Sequence, residues 1–92
     1  MKIDFSPNCQ KKLAVLKRKD ANLFKLVFKQ LLCFQQQPNH PSLRLHKLKG
    51  DLNDTWSISI TNTIRMVFYY REVEGERGVV FIMIGTHKEV YR

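Results

Sequence analysis

Apolar and polar positions change period midway along this 92-residue chain. After Met1, the segment KIDF (Lys2–Phe5) alternates polar and apolar, which predicts a short strand. Ser6 is a helix-capping type, and Pro7 suits a first helical turn, where no amide hydrogen is needed. Cys9, Leu13 and Leu16 then recur on one helical face, predicting a first helix that runs into the basic KRK segment. Asp20 can cap a second helix. There Phe24, Val27, Phe28, Leu31 and Phe34 repeat at steps of three and four and are expected to face a core. QQQPNHP ends that helix, because its two prolines exclude continuation.

From Trp56 onward the period is two. Trp56, Ile58 and Ile60 fall on one face, and Ser57, Ser59 and Thr61 on the other, as in a half-buried strand. Asn62-Thr63 can turn the chain into IRMVFYYREV, a second strand with Ile64, Met66 and Phe68 inward and Arg65, Val67 and Tyr69 outward. EGERG (Glu74–Gly78) is expected to be a hairpin loop. VVFIMIG (Val79–Gly85), apolar on both faces, is then an interior strand. The expectation is a single α+β domain over residues 1–92. An N-terminal strand and two helices would pack on a small antiparallel sheet of three to four strands.

Composition agrees with a folded domain: 43% hydrophobic and 26% charged residues. The longest apolar run, VVFIMI, is far short of the roughly 20 residues a membrane-spanning helix needs. The N-terminus lacks the apolar stretch of a signal peptide. No membrane partner and a cytoplasmic location are expected. The two cysteines, Cys9 and Cys33, have no metal-type spacing and are expected to be buried thiols in helices.

Charge sharpens the picture. The net charge is +8, and residues 1–50 carry eleven Lys/Arg against two acids. Residues 51–92 carry five against six, and between Lys11 and Lys49 the only acid is Asp20. Such a basic block attracts polyanions through steering and counterion release, so a nucleic acid or an acidic protein is the expected partner.

Of the three histidines, His40 lies between Asn39 and Pro41 and is ordinary surface, while His46 and His87 sit in segments that could carry chemistry. No helical pair of histidines four apart and no HExxH occurs, so no metal or other cofactor is expected. No GxSxG elbow supports a serine triad. Metal-free RNA cleavage fits better. It needs a base for the 2′-hydroxyl, cations for the phosphate and an acid for the leaving 5′-oxygen. His46, Lys47, Lys49, Arg65, His87 and Tyr91 offer those groups, and Ser57 and Ser59 share the face of Arg65 if the strands are neighbours.

LHKLKGDL, the W-x-I-x-I strand, IRMVFYY and FIMIGTHKEVY together resemble the ribosome-dependent endoribonuclease toxins of the RelE/ParE superfamily, the YafQ and YoeB branches above all. The resemblance covers most of the chain and implies a RelE-like fold and a toxin of a type II toxin–antitoxin system. It implies His46 acting on the 2′-hydroxyl, Arg65 on the phosphate, His87 as acid for the leaving oxygen and Tyr91 positioning an mRNA base. Lys49, the lysine of LKG, is the matching backbone contact; Lys47, Ser57, Ser59 and Lys88 are expected as further RNA contacts, although Ser57 and Ser59 stand where RelE carries lysines. The implied partners are the ribosome, mRNA and an acidic antitoxin. Two other readings stand beside it: a non-catalytic ParE-like inhibitor of gyrase, and a basic RNA- or ribosome-binding module. Neither would need the histidine pair.

Overall fold

The computed structural model describes residues 1–49 and 54–90. Strand β1 (Lys2–Phe5) leads into helix α1 (Pro7–Lys19) and helix α2 (Ala21–Gln36). A 3-10 turn, Pro41–Leu43, precedes the strands β2 (His46–Lys47), β3 (Thr55–Ser59), β4 (Ile64–Val73) and β5 (Glu76–Thr86), and a short helix α3 (His87–Val90) follows.

The helix starts follow from their caps. The Ser6 hydroxyl accepts from Cys9 N at 3.2 Å, with Pro7 at the first helical position. Asp20 serves both helices. Its N–H closes α1 on the Leu16 carbonyl at 2.8 Å, and its carboxylate opens α2 by accepting from Leu23 N at 3.1 Å. Lys17, Arg18 and Lys19 fill the last turn of α1, where cations complement the helix dipole.

The sheet has five strands in the order β1-β5-β4-β3-β2. That corrects the expected sheet of three to four antiparallel strands: β1 joins it, and pairs parallel to β5, Ile3 opposite Val79 and Phe5 opposite Phe81. The expected EGERG loop shrinks to the pair Glu74-Gly75, both with positive φ (53° and 80°), as a tight hairpin turn demands, and β5 begins at Glu76.

Helices α1 and α2 cover one face of the sheet. Phe34 of α2 is fully buried against Phe68 and Phe81, with ring centroids 5.0 Å and 6.0 Å away, and Phe68 and Phe81 lie 5.1 Å apart. Val27, Leu31, Ile58, Met66 and Val79 complete this core. One expected member is missing from it. Phe28 is 57% exposed and rests edge-on against Phe24, at 4.9 Å between centroids. Val27, Leu31 and Phe34 form the stripe that meets the sheet, and Phe28 lies one step round the helix, beyond its edge. Cys9 is buried as expected, whereas Cys33 is partly exposed.

The other face carries a smaller cluster of Leu48, Val67 and Val90, with Ile82 and Met83 packed against it. A β-bulge makes this possible. Val67 opposes Met83 while Phe68 opposes Phe81, so Ile82 is the extra residue. Ile82 and Met83 both join the outer cluster, and Ile84 returns to the helix side. That is how β5 comes to be apolar on both faces.

Candidate active site

Strand β2 is two residues long, and its register decides which way it faces. His46 opposes Ser57 and Lys47 opposes Trp56. Directly opposed residues share a face, so His46 sides with Ser57, away from the helices. The next strands extend that row to Val67 and Met83, and the neighbouring row runs Ser59, Arg65, Gly85. His46 and Arg65 therefore lie on one sheet face, with His87 just beyond the end of β5 that borders it.

The approach to His46 is fixed by local geometry. His40 caps the 3-10 turn, its Nδ1 accepting from Ser42 N at 3.1 Å. Arg44 then takes a left-handed backbone, φ 46°, which swings the chain into β2. His46 Nδ1 lies 3.2 Å from the Arg44 carbonyl oxygen and 3.4 Å from Ser57 Oγ. A carbonyl oxygen only accepts, so Nδ1 carries the hydrogen and the neutral ring keeps its lone pair on Nε2. Nε2 is then the atom that can take a proton.

Arg65 lies on the floor of the face, partly buried. Its Nη1 donates to the Thr61 carbonyl at 2.8 Å and reaches that of Ile64 at 3.4 Å, so the guanidinium folds toward the β3–β4 turn. An arginine so tethered keeps a planar set of donors suited to phosphate oxygens.

His87 is mounted by a capping box. Thr86 is the cap and Glu89 the third helical residue: Glu89 Oε1 accepts from Thr86 N at 2.7 Å, and Glu89 N donates to Thr86 Oγ1 at 3.4 Å. Gly85 makes room for it, because a Cβ there would stand 3.0 Å from Glu89 Cβ and 3.0 Å from Oε1. His87 and Lys88 are exposed between the two capping residues. The T-x-x-E spacing was available in the sequence as the sign of this helix start.

Strands β2 and β5 are three strand spacings apart, on the order of 14 Å. Leu48, two residues after His46, and Val90, three after His87, are buried in the same small cluster over Val67. The two histidine-bearing segments thus converge on the middle of the face.

The other expected contacts divide. Lys49 and Lys88 are exposed. Lys47 shares the face of Trp56, not that of His46, and pairs with Asp54 at 3.3 Å. Ser57 and Ser59 do lie on the expected face but are buried, so neither is presented at the surface as an RNA contact. Ser59 Oγ is a buried side-chain oxygen with no hydrogen-bond partner among the described residues. Tyr91 and Gly50 lie outside the described residues. One contributor escaped the sequence reading. Gln30, buried in α2, donates from Nε2 to the Ser59 carbonyl at 3.0 Å and to that of Ser42 at 3.4 Å, which ties β3 to the turn that aims His46. Its spacing from Val27 and Phe34 was the only signal.

Among the described residues no three His, Cys, Asp or Glu side chains cluster as metal ligands would. Burial pushes the Cys9 thiol up from 9.0 to about 11, and the Lys12 ammonium offsets part of that.

No protein-family model matches the chain, and no curated protein sequence does either. Solved structures do. A YoeB/ParE toxin from Agrobacterium tumefaciens superposes with a TM-score of 0.78 at 22% identity, covering 95% of this chain and 99% of its own. A metal-bound toxin from Helicobacter pylori gives 0.77 at 25% identity, with 99% of each chain covered. The E. coli DinJ–YafQ complex gives 0.65 at 18% identity, with 98% and 97% covered. In fold, the chain resembles these toxins, the YoeB/ParE and YafQ types among them.

Proposed function

We propose that the chain is the toxin of a type II toxin–antitoxin pair and acts as an endoribonuclease on mRNA in the ribosomal decoding site. The observation that carries the reading is that His46 and Arg65 share the sheet face that α1 and α2 leave uncovered, with His87 just beyond the end of β5 that borders it.

The chemistry runs in one displacement. His46 Nε2 takes the proton of a ribose 2′-hydroxyl, and the oxygen attacks the adjacent phosphorus. Charge builds on the non-bridging oxygens, which the Arg65 guanidinium meets with charge-assisted hydrogen bonds. His87, protonated, gives its proton to the departing 5′-oxygen. The products are a 2′,3′-cyclic phosphate and a 5′-hydroxyl, with His46 left protonated and His87 neutral. Exposed Lys49 and Lys88 serve the RNA backbone, and Tyr91 stacks on an mRNA base. Lys47, held by Asp54, contributes less.

The net charge of +8 favours an anionic surface such as ribosomal RNA. A cytoplasmic site of action follows from a ribosomal target. No helix among the described residues is long and apolar enough to cross a membrane. An acidic antitoxin is the remaining partner, and the structural relative YafQ was itself solved in a complex, with DinJ.

Mapping mRNA ends in a translation extract with and without ribosomes tests the reading. New 5′-hydroxyl ends that require ribosomes, together with growth arrest when the chain is expressed alone, are expected. Intact mRNA and normal growth with folded protein present would overturn it.

A further inference from the structure

A cleft of about 510 Å³ opens at the sheet edge between α2, the 3-10 turn and the β3–β4 turn. Leu26, Lys29 and Gln30 line it from α2, Arg44 from the segment before β2, and Ile60 and Asn62 from the turn side. Leu26 and Ile60 are apolar, Lys29 and Arg44 are cations, and no carboxylate is among the lining residues. Among the described residues neither Lys29 nor Arg44 is in an ion pair. An aliphatic surface under two unpaired cations, at this volume, suits a phosphate joined to a flat apolar group better than a bare anion.

The cleft adjoins the candidate active site through the backbone. Arg44 lines it with its side chain's residue and, through its carbonyl, holds His46 Nδ1 at 3.2 Å. Thr61 lines the opposite side, and its carbonyl holds Arg65 Nη1 at 2.8 Å. The same two backbone segments therefore bound the cleft and orient the base and the phosphate contact. A strand of nucleotides held at His46 and Arg65 would reach the cleft by passing over this edge.

We propose that the cleft is an accessory subsite for one nucleotide of single-stranded RNA next to the cleaved bond. Its phosphate lies on Lys29 and Arg44 and its base on Leu26 and Ile60. The inference rests on the endoribonuclease reading above. Because the cleft offers aliphatic rather than aromatic surface, the base is held with little discrimination, unlike sites built on stacking.

The probe is a nucleoside 3′,5′-bisphosphate titrated into the isotopically labelled full-length chain, followed by amide shifts. Shifts at Gln30, Arg44, Thr61 and Asn62 are expected. Lys29→Ala and Arg44→Gln should each weaken binding about tenfold, as loss of one charge-assisted contact does, and Lys17→Ala on α1 should not. Adenosine and uridine probes should bind within a few-fold of each other. Unchanged affinity in both variants, or shifts confined to other parts of the chain, would overturn the proposal. So would inorganic phosphate binding as tightly as the bisphosphate, or an oligoglutamate displacing it more strongly. In the ribosome-programmed assay Lys29→Ala should raise KM and leave kcat near wild type. Cleft binding without any RNA cleavage would sink the nuclease reading alone. Cleavage with KM unchanged in Lys29→Ala would sink the subsite alone. Thermal midpoints matching wild type establish that the variants are folded.

Discussion

Thr86 and Glu89 cap one another where the sheet gives way to α3, with Glu89 Oε1 2.7 Å from Thr86 N and Glu89 N 3.4 Å from Thr86 Oγ1. Between them stand His87 and Lys88. The ionisable end of the chain thus has two jobs: the outer pair, Thr86 and Glu89, fastens the turn, and the two residues they enclose are left exposed. A four-residue helix has too few internal hydrogen bonds to hold itself, so the orientation of His87 depends on this cap and on Val90, buried beneath.

Glu89→Ala should therefore loosen α3 without unfolding the sheet. Loss of a cap costs about 0.5–2 kcal/mol, here felt locally. Hydrogen exchange at residues 87–90 should accelerate while β4 and β5 stay protected. Gly85→Ala should do the same by pushing Glu89 aside, since the added Cβ would stand 3.0 Å from Glu89 Cβ and Oε1, inside ordinary contact distance. Unaltered exchange in both variants would show that the cap is incidental.

Phe34→Ala should destabilise the fold by about 3–5 kcal/mol, because it empties a ring-sized space between Phe68 and Phe81. Phe28→Ala should cost far less, roughly 1 kcal/mol or below, because that ring is already more than half in water. Urea unfolding of the two variants separates these outcomes, and equal losses would mean that α2 is rotated from the position described.

The contrast between Phe34 and Phe28 shows what was legible in the sequence. Period alone identified α2 and its inner stripe, yet it could not fix how wide the stripe is, since that depends on where the sheet ends beneath the helix. Strand faces were legible for the same reason: alternation puts Arg65 with Ser57 and Ser59 and against Met66, and the register agrees. Pairing was not legible. That β1 lies parallel to β5, and that Lys47 turns away from His46, are long-range facts with no local signature. Nor could residue type reveal burial at Ser57 and Ser59, since serine is at home both in water and in a close-packed sheet.

Ser59 lends itself to a direct check. Its hydroxyl is buried and unpartnered among the described residues, a state that costs about 1–3 kcal/mol relative to having none. Ser59→Ala should be neutral or mildly stabilising, with cleavage near the wild-type rate. A clear loss of cleavage at unchanged stability would show that the hydroxyl reaches RNA after all.

Cys9 sets an alkaline limit. Its thiol ionises near 9 in the unfolded chain and at about 11 when buried, so the unfolded state loses its proton first. Stability is fully present below pH 9 and falls as the pH rises toward 11, at up to about 1.4 kcal/mol per unit. Urea midpoints between pH 8 and 11 should fall more steeply for wild type than for Cys9→Ala, which isolates the contribution of this thiol. Parallel profiles would remove Cys9 from the account.

The sharpest prediction concerns the histidines. His87→Ala should abolish most ribosome-dependent cleavage while the fold persists, because the ring is exposed at the end of a rigid strand and fills no part of either core. A general acid contributes about 10²–10⁴-fold to a rate, a loss plain in single-turnover kinetics. His46→Ala should cost a comparable factor if Nε2 is the base, and Arg65→Ala should lower kcat by removing charge stabilisation in the transition state. The double histidine variant should fall well short of the product of the single losses, since a base and an acid acting in one displacement are not independent. His40→Ala is the control. It caps the 3-10 turn that precedes β2 through Nδ1, and because Pro41 and the turn's backbone hydrogen bonds remain, the variant should leave most of the rate in place. Full cleavage by His87→Ala, or multiplicative losses in the double variant, would break the pairing of these residues as acid and base.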